Sequence, residues 1–122
     1  MQSCARGQMS HFKGEAAEQC IALDYERRGY RIAARRWRGQ GGEIDLIVRK
    51  GDLLVFVEVK SSRTKARAAE QLGQRQMARI CLSAQGFLAE EPAGQLTDMR
   101  FDVAVMDTTG AFDIVENAFG QY

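Results

Sequence analysis

The stretch from Glu43 to Lys60 leaves the chain few ways to fold. Its two runs, Glu43-Ile44-Asp45-Leu46-Ile47-Val48-Arg49 and Leu53-Leu54-Val55-Phe56-Val57-Glu58-Val59-Lys60, are rich in β-branched and aromatic residues, and Lys50-Gly51-Asp52 separates them. Glycine followed by a polar residue suits a two-residue hairpin turn. With Gly51 and Asp52 as that turn, Ile47 faces Phe56, Asp45 faces Glu58 and Glu43 faces Lys60. Such neighbours sit about 4.5–5.5 Å apart at Cβ.

Alternation sorts these side chains between two faces. Ile44, Leu46, Val48, Val55, Val57 and Val59 share one face, wholly apolar and therefore expected to be buried. The other face carries Ile47, Leu54 and Phe56 in the middle, with Glu43, Asp45, Glu58 and Lys60 at one end. Two carboxylates side by side on a mostly buried strand pair repel one another and lose hydration. A divalent cation relieves that strain, with Lys60 as a further positive neighbour. The pattern describes either a site or a buried ion cluster, and a site is expected.

A chain of 122 residues is expected to form one domain with one real core, residues 13–122, preceded by a segment 1–12 that lacks a clear period and is expected to be partly disordered. Net charge is only +1, so there is no global pull toward nucleic acid or membrane. The charge is uneven, however: Arg27, Arg28, Arg31, Arg35, Arg36 and Arg38 crowd around Trp37. Such a run reads first as a solvated face, and beside a carboxylate cluster a phosphate-binding edge becomes more credible. Cys4, Cys20 and Cys81 match neither zinc nor redox spacing and are expected to be reduced thiols in a cytoplasmic protein. No apolar run approaches the ~20 residues of a membrane span. The single histidine, His11, leaves little for histidine-based catalysis or zinc binding and argues against triad hydrolases.

Along the chain, Lys13 to Arg28 predicts a helix stopped by Gly29. Glu15 and Glu18 lie three apart on it and share a side. Tyr30 to Trp37 predicts a strand, and Gly39, Gly41 and Gly42 a flexible loop into the hairpin. Ser61 to Arg67, which includes Arg63, predicts a basic loop. Ala68 to Ala89 predicts one helix, closed by a turn at Pro92 and Gly94. Arg100 to Met106 and Ala111 to Glu116 predict two more strands. The sum is an α/β domain whose mixed sheet is flanked by helices.

Asp45 followed by Glu58-Val59-Lys60, preceded by a helix bearing glutamate, resembles the PD-(D/E)XK nuclease superfamily. More closely, Gly42-Glu43-Ile44-Asp45-Leu46-Ile47 with Val57-Glu58-Val59-Lys60 resembles the small bacterial YraN-like family. Gly29-Tyr30, Trp37-Arg38 and Arg100-Phe101-Asp102-Val103 also match that family's pattern, so the likeness spans roughly Gly14 to Val105. The resemblance implies a restriction-endonuclease-like αβββαβ fold and metal-dependent cleavage of DNA, of branched or structured DNA in particular, as in Holliday-junction resolvases. It implies Mg²⁺ or Mn²⁺ on Asp45, Glu58 and the carbonyl of Val59, with Lys60 beside the attacking water. Glu18, favoured over Glu15 by its placement relative to Gly29-Tyr30, would complete the shell. Arg35, Arg36, Arg38, Arg63 and Arg75 would meet the nucleic acid. In such families a lysine stands near Gln76; here Arg75 and Gln76 occupy that place. A homodimer follows by analogy with resolvases. The alternatives are a nucleic-acid-binding module without turnover, and an interaction protein in DNA repair or uptake. Asp102 fits either support of the site or a surface position, and Trp37 fits packing better than base stacking.

Overall fold

The computed structural model of the protein describes residues 2–3 and 14–119. Its elements are β1 (Gln2–Ser3), α1 (Glu15–Arg27), β2 (Arg31–Gly39), β3 (Gly42–Lys50), β4 (Leu53–Ser61), α2 (Lys65–Glu70), α3 (Gln74–Leu88), β5 (Met99–Met106) and β6 (Ala111–Val115), with a 3₁₀ turn at Gly94–Leu96. The strands form one sheet in the order β1-β6-β5-β4-β3-β2. Only β4 and β5 run parallel; the other pairs are antiparallel. A parallel pair needs a long crossover, and α2 with α3 supplies it. The expected mixed sheet flanked by helices is present.

The hairpin keeps its expected register: Lys50 pairs with Leu53, Val48 with Val55, Ile47 with Phe56 and Leu46 with Val57. β4 lies in the middle of the sheet, which explains its nearly continuous apolar run, since both of its faces are covered. On one face α1 packs Ala17, Cys20, Ile21, Ala22 and Tyr25 against Leu46, Val48, Val55 and Val57. On the other, Ile80, Ala84 and Leu88 of α3 cover Ile47, Leu54, Phe56 and Phe101. Trp37 packs edge-on to Phe87 at 5.4 Å, as its packing role requires.

Several expectations are corrected. The single helix from Ala68 to Ala89 is two. Thr64 starts α2 inside the segment expected to be a loop, its hydroxyl accepting from the amide of Arg67 at 3.1 Å, and Gly73 is the cap at which α3 begins anew. Partial disorder in residues 1–12 is not among the corrected expectations; Gln2–Ser3 there forms a two-residue strand paired with β6. The rest of that segment, with Cys4 and His11, lies outside the described residues. Ile44 does not share a face with Leu46; it sits in the core under α3. Cys20 is disulfide-bonded rather than reduced, whereas Cys81 is free. Local spacing motifs do not reveal a link of that kind. Among the described residues no helix is long and apolar enough to cross a membrane.

Candidate active site

The misplacement of Ile44 marks where the sheet forks. Between β3 and β4 the pairing stops at Leu46 and Val57. Beyond that level Ile44, Glu43 and Gly42 pair only with β2, while Glu58 to Ser61 pair with β5. Two strands that part inside a sheet leave backbone amides facing each other without ladder partners, and buried amides must be satisfied. Here two carboxylates do it. The amide of Asp45 donates to Glu58 Oε1 at 3.3 Å, and the amide of Val59 donates to Asp45 Oδ2 at 2.8 Å. In extended chain a residue's N–H and C=O point the same way, so the carbonyl of Val59 faces the fork as well.

The distortion crosses into β2. The β2–β3 ladder pairs Arg35 with Leu46 and Trp37 with Ile44, and skips Arg36 and Asp45 between them. Arg36 has φ +48°, the left-handed region that non-glycine residues seldom adopt. The local twist breaks alternation. Arg35 and Arg36 both reach α1, where Arg35 donates to Gln19 at 3.1 Å and Arg36 donates to Glu18 at 2.9 Å. Glu15, Glu18, Arg35, Arg36 and Asp45 thus line one cleft of about 430 Å³ between α1 and β2–β3. On the α3 side, the Gln76 amide donates to Glu58 Oε2 at 3.4 Å, and Lys60 Nζ lies 3.8 Å from the same oxygen.

The electrostatics follow from this enclosure. Glu58 is only 3% exposed, and burial together with the neighbouring charge of Asp45 pushes its carboxyl up to about 7. Burial also pushes Asp45 up to about 6, against the Val59 amide, which lowers it; Glu18 adds to the rise by its charge and a side-chain hydrogen bond. Among the described residues no three or more His, Cys, Asp and Glu side chains gather as a metal-binding group. The donor set here is a carboxylate pair with a backbone carbonyl. It is all oxygen, the kind that hard divalent cations take. A buried acid and a half-buried one meeting at the fork fit such a cation.

The geometry therefore brings together Glu18, Asp45, Glu58, Val59, Lys60, Arg35 and Arg36. It does not bring in Arg38, which turns out to solvent and pairs with Glu43 at 3.6 Å. Nor do Glu43 and Lys60 face each other as the register implied: once the strands part, Lys60 is left with Glu58. Arg63 and Arg75 are exposed on the α2–α3 side. Gln76, near which the resemblance puts a lysine, makes the contact to Glu58 instead. Asp102 is neither in the cleft nor at the surface. Fully enclosed, it accepts from Tyr25 at 2.6 Å, Arg100 at 2.9 Å and the Asn117 amide at 3.1 Å. It ties the last turns of α1 to β5 and thereby fixes the helix whose first turn presents Glu18.

Known proteins resemble this chain along nearly all of its length. The family described as "Uncharacterised protein family UPF0102" matches residues 17–106. A UPF0102 protein of Ruegeria pomeroyi is 65% identical over 116 residues, covering 95% of this chain and 94% of the relative. One from Cereibacter sphaeroides is 53% identical over 113 residues, covering 93% and 97%, and one from Roseobacter denitrificans is 50% identical over 115, covering 94% and 89%. The chain belongs to the UPF0102 family.

Proposed function

We propose that this protein is a metal-dependent endonuclease of restriction-endonuclease-like fold, hydrolysing DNA phosphodiesters in the cytoplasm. The observation that carries this reading is the fork itself, with half-buried Asp45 meeting buried Glu58 beside Lys60. A purely structural fork would not need two acids whose charges oppose each other's ionisation. Asp45, Glu58 and the Val59 carbonyl would hold Mg²⁺ or Mn²⁺, with Glu18 joining from α1. When bound, such an ion polarises the phosphate and makes a water more acidic.

The chain's own residues supply the rest. Lys60 Nζ orients the attacking water and offsets charge on the phosphate. Gln76 fixes the Glu58 carboxylate, leaving its position less dependent on the cation. Arg35 and Arg36 line the cleft where the phosphate backbone would approach, and exposed Arg63 and Arg75 extend the positive rim on the other side. Arginines suit phosphates because their planar donors can bind two oxygens at once.

Cleavage assays on linear, flapped and four-way DNA with Mn²⁺ test this directly. Asp45→Asn or Glu58→Gln should lower the rate at least about 100-fold, the scale on which single electrostatic contributors act, with the far-UV spectrum unchanged. Parent protein that binds these DNAs without cutting any of them would instead favour the binding module without turnover.

A further inference from the structure

Arg36 combines an unusual backbone with an unusual pairing. Its φ of +48° is a conformation that persists where surroundings enforce it and that clusters at functional sites. Its guanidinium is exposed, yet it is committed to the acids of α1: Nε to Glu18 Oε1 at 2.9 Å and Nη2 to Glu15 Oε2 at 3.9 Å. Glu18 and Asp45 line the same cleft, near enough for the charge of Glu18 to raise the Asp45 carboxyl. The order across the cleft is therefore guanidinium, Glu18, Asp45, with Glu58 beyond. Arg36 stands where it neutralises the same acids that a cation would neutralise. Arg35 differs, since it is held by the neutral amide of Gln19.

We propose that Arg36 is an exchangeable counter-ion: it pairs with Glu18 while the cleft holds neither cation nor nucleic acid, and a divalent cation at Glu18 and Asp45 releases it to bind a substrate phosphate. The inference rests on the cation-site reading above. It adds that cation and DNA strengthen each other's binding through one side chain, because a guanidinium whose single positive charge is already offset by Glu18 and Glu15 attracts a phosphate less than one released from them. By linkage the effect is reciprocal.

Arg36→Asn is the informative variant, since asparagine tolerates the left-handed backbone and lacks the cation. Mn²⁺ affinity is measured by calorimetry without DNA in the parent, Arg36→Asn, Glu18→Gln and the double variant. Arg36→Asn should bind Mn²⁺ about five-fold or more tightly than the parent, a gain on the usual scale of coupling between sites. The gain should vanish in the Glu18→Gln background. In parallel, anisotropy of a labelled duplex with and without Ca²⁺ should show cation-enhanced binding in the parent, and a largely lost enhancement in Arg36→Asn.

Unchanged or weaker Mn²⁺ binding in Arg36→Asn overturns the exchange, and so does a gain that persists without Glu18, which would reflect net charge alone. Arg36→Gly, which also accepts this backbone, repeats the comparison if the asparagine variant fails to fold. Parent protein that binds no Mn²⁺, with or without duplex, overturns the cation site and the exchange with it. Mn²⁺ binding lost in Asp45→Asn but indifferent to Arg36 overturns only the exchange.

Discussion

Burial raises Asp45 from 3.8 to about 6 and Glu58 from 4.5 to about 7, so the folded protein holds protons there that the unfolded chain has already released. Stability therefore falls as pH rises from about 4 to about 7, and levels off once both groups are ionised in both states. Urea unfolding across that range should show the decline. The combined Asp45→Asn and Glu58→Gln variant should flatten it and be more stable by about 1–3 kcal/mol near pH 8. A parent whose stability instead rises through that window would contradict the burial argument. Asp102 makes the opposite case. Its charge is met by Arg100, Tyr25 and an amide, and that charge together with burial keeps the Tyr25 hydroxyl protonated as a donor. Asp102→Ala should cost about 3 kcal/mol in a urea melt, because it leaves Arg100 and Tyr25 without their acceptor. Tyr25→Phe should cost only about 1–2 kcal/mol, as Asp102 retains its other donors. At this scale the sequence was partly legible. The two-residue turn fixes the hairpin register only as far as Leu46 and Val57; beyond it the strands part, and Asp45 and Glu58 meet through side chain and backbone rather than as the expected cross-strand pair. The Arg36–Glu18 pair was not legible, since it depends on a single φ that no residue pattern announces.

Elements position these residues through close backbone contacts more than through long side chains. The β2–β3 turn docks on α3 at Ser83, whose hydroxyl accepts from the Gly41 amide at 2.9 Å and donates to the Gly42 carbonyl at 2.8 Å. A Cβ on Gly41 would collide with the Arg79 carbonyl, so this glycine permits contact rather than flexibility. Gly41→Ala should destabilise the protein by about 2–3 kcal/mol in thermal or urea melts. A neutral outcome would mean that the turn can lift off α3. The loop expected from the glycines is thus a packed turn, and the difference is instructive. Glycine content signals freedom and close approach equally, and only the helix beneath distinguishes them. The split of the long helix into α2 and α3 has a similar cause. Thr64 and Gly73 are ordinary capping residues, but a continuous apolar stripe from Leu72 to Leu88 hides the break between them.

At the scale of the whole molecule, one sheet does two jobs. Its middle, where β4 is covered by α1 on one face and α3 on the other, carries the core; its forked end carries the charges. β3 leaves with β2, β4 stays with β5, and the carboxylates fill the gap. Net charge of +1 hides this arrangement, because Arg35 and Arg36 come to the fork's cleft through the fold and leave no mark in the total. The most direct test is crystallographic. Crystals soaked in Mn²⁺ should show an anomalous peak in the fork, within about 2–2.5 Å of oxygens from both Asp45 and Glu58. A saturating soak that leaves the fork without anomalous density, or places Mn²⁺ only elsewhere, would contradict the cation site on which this account stands.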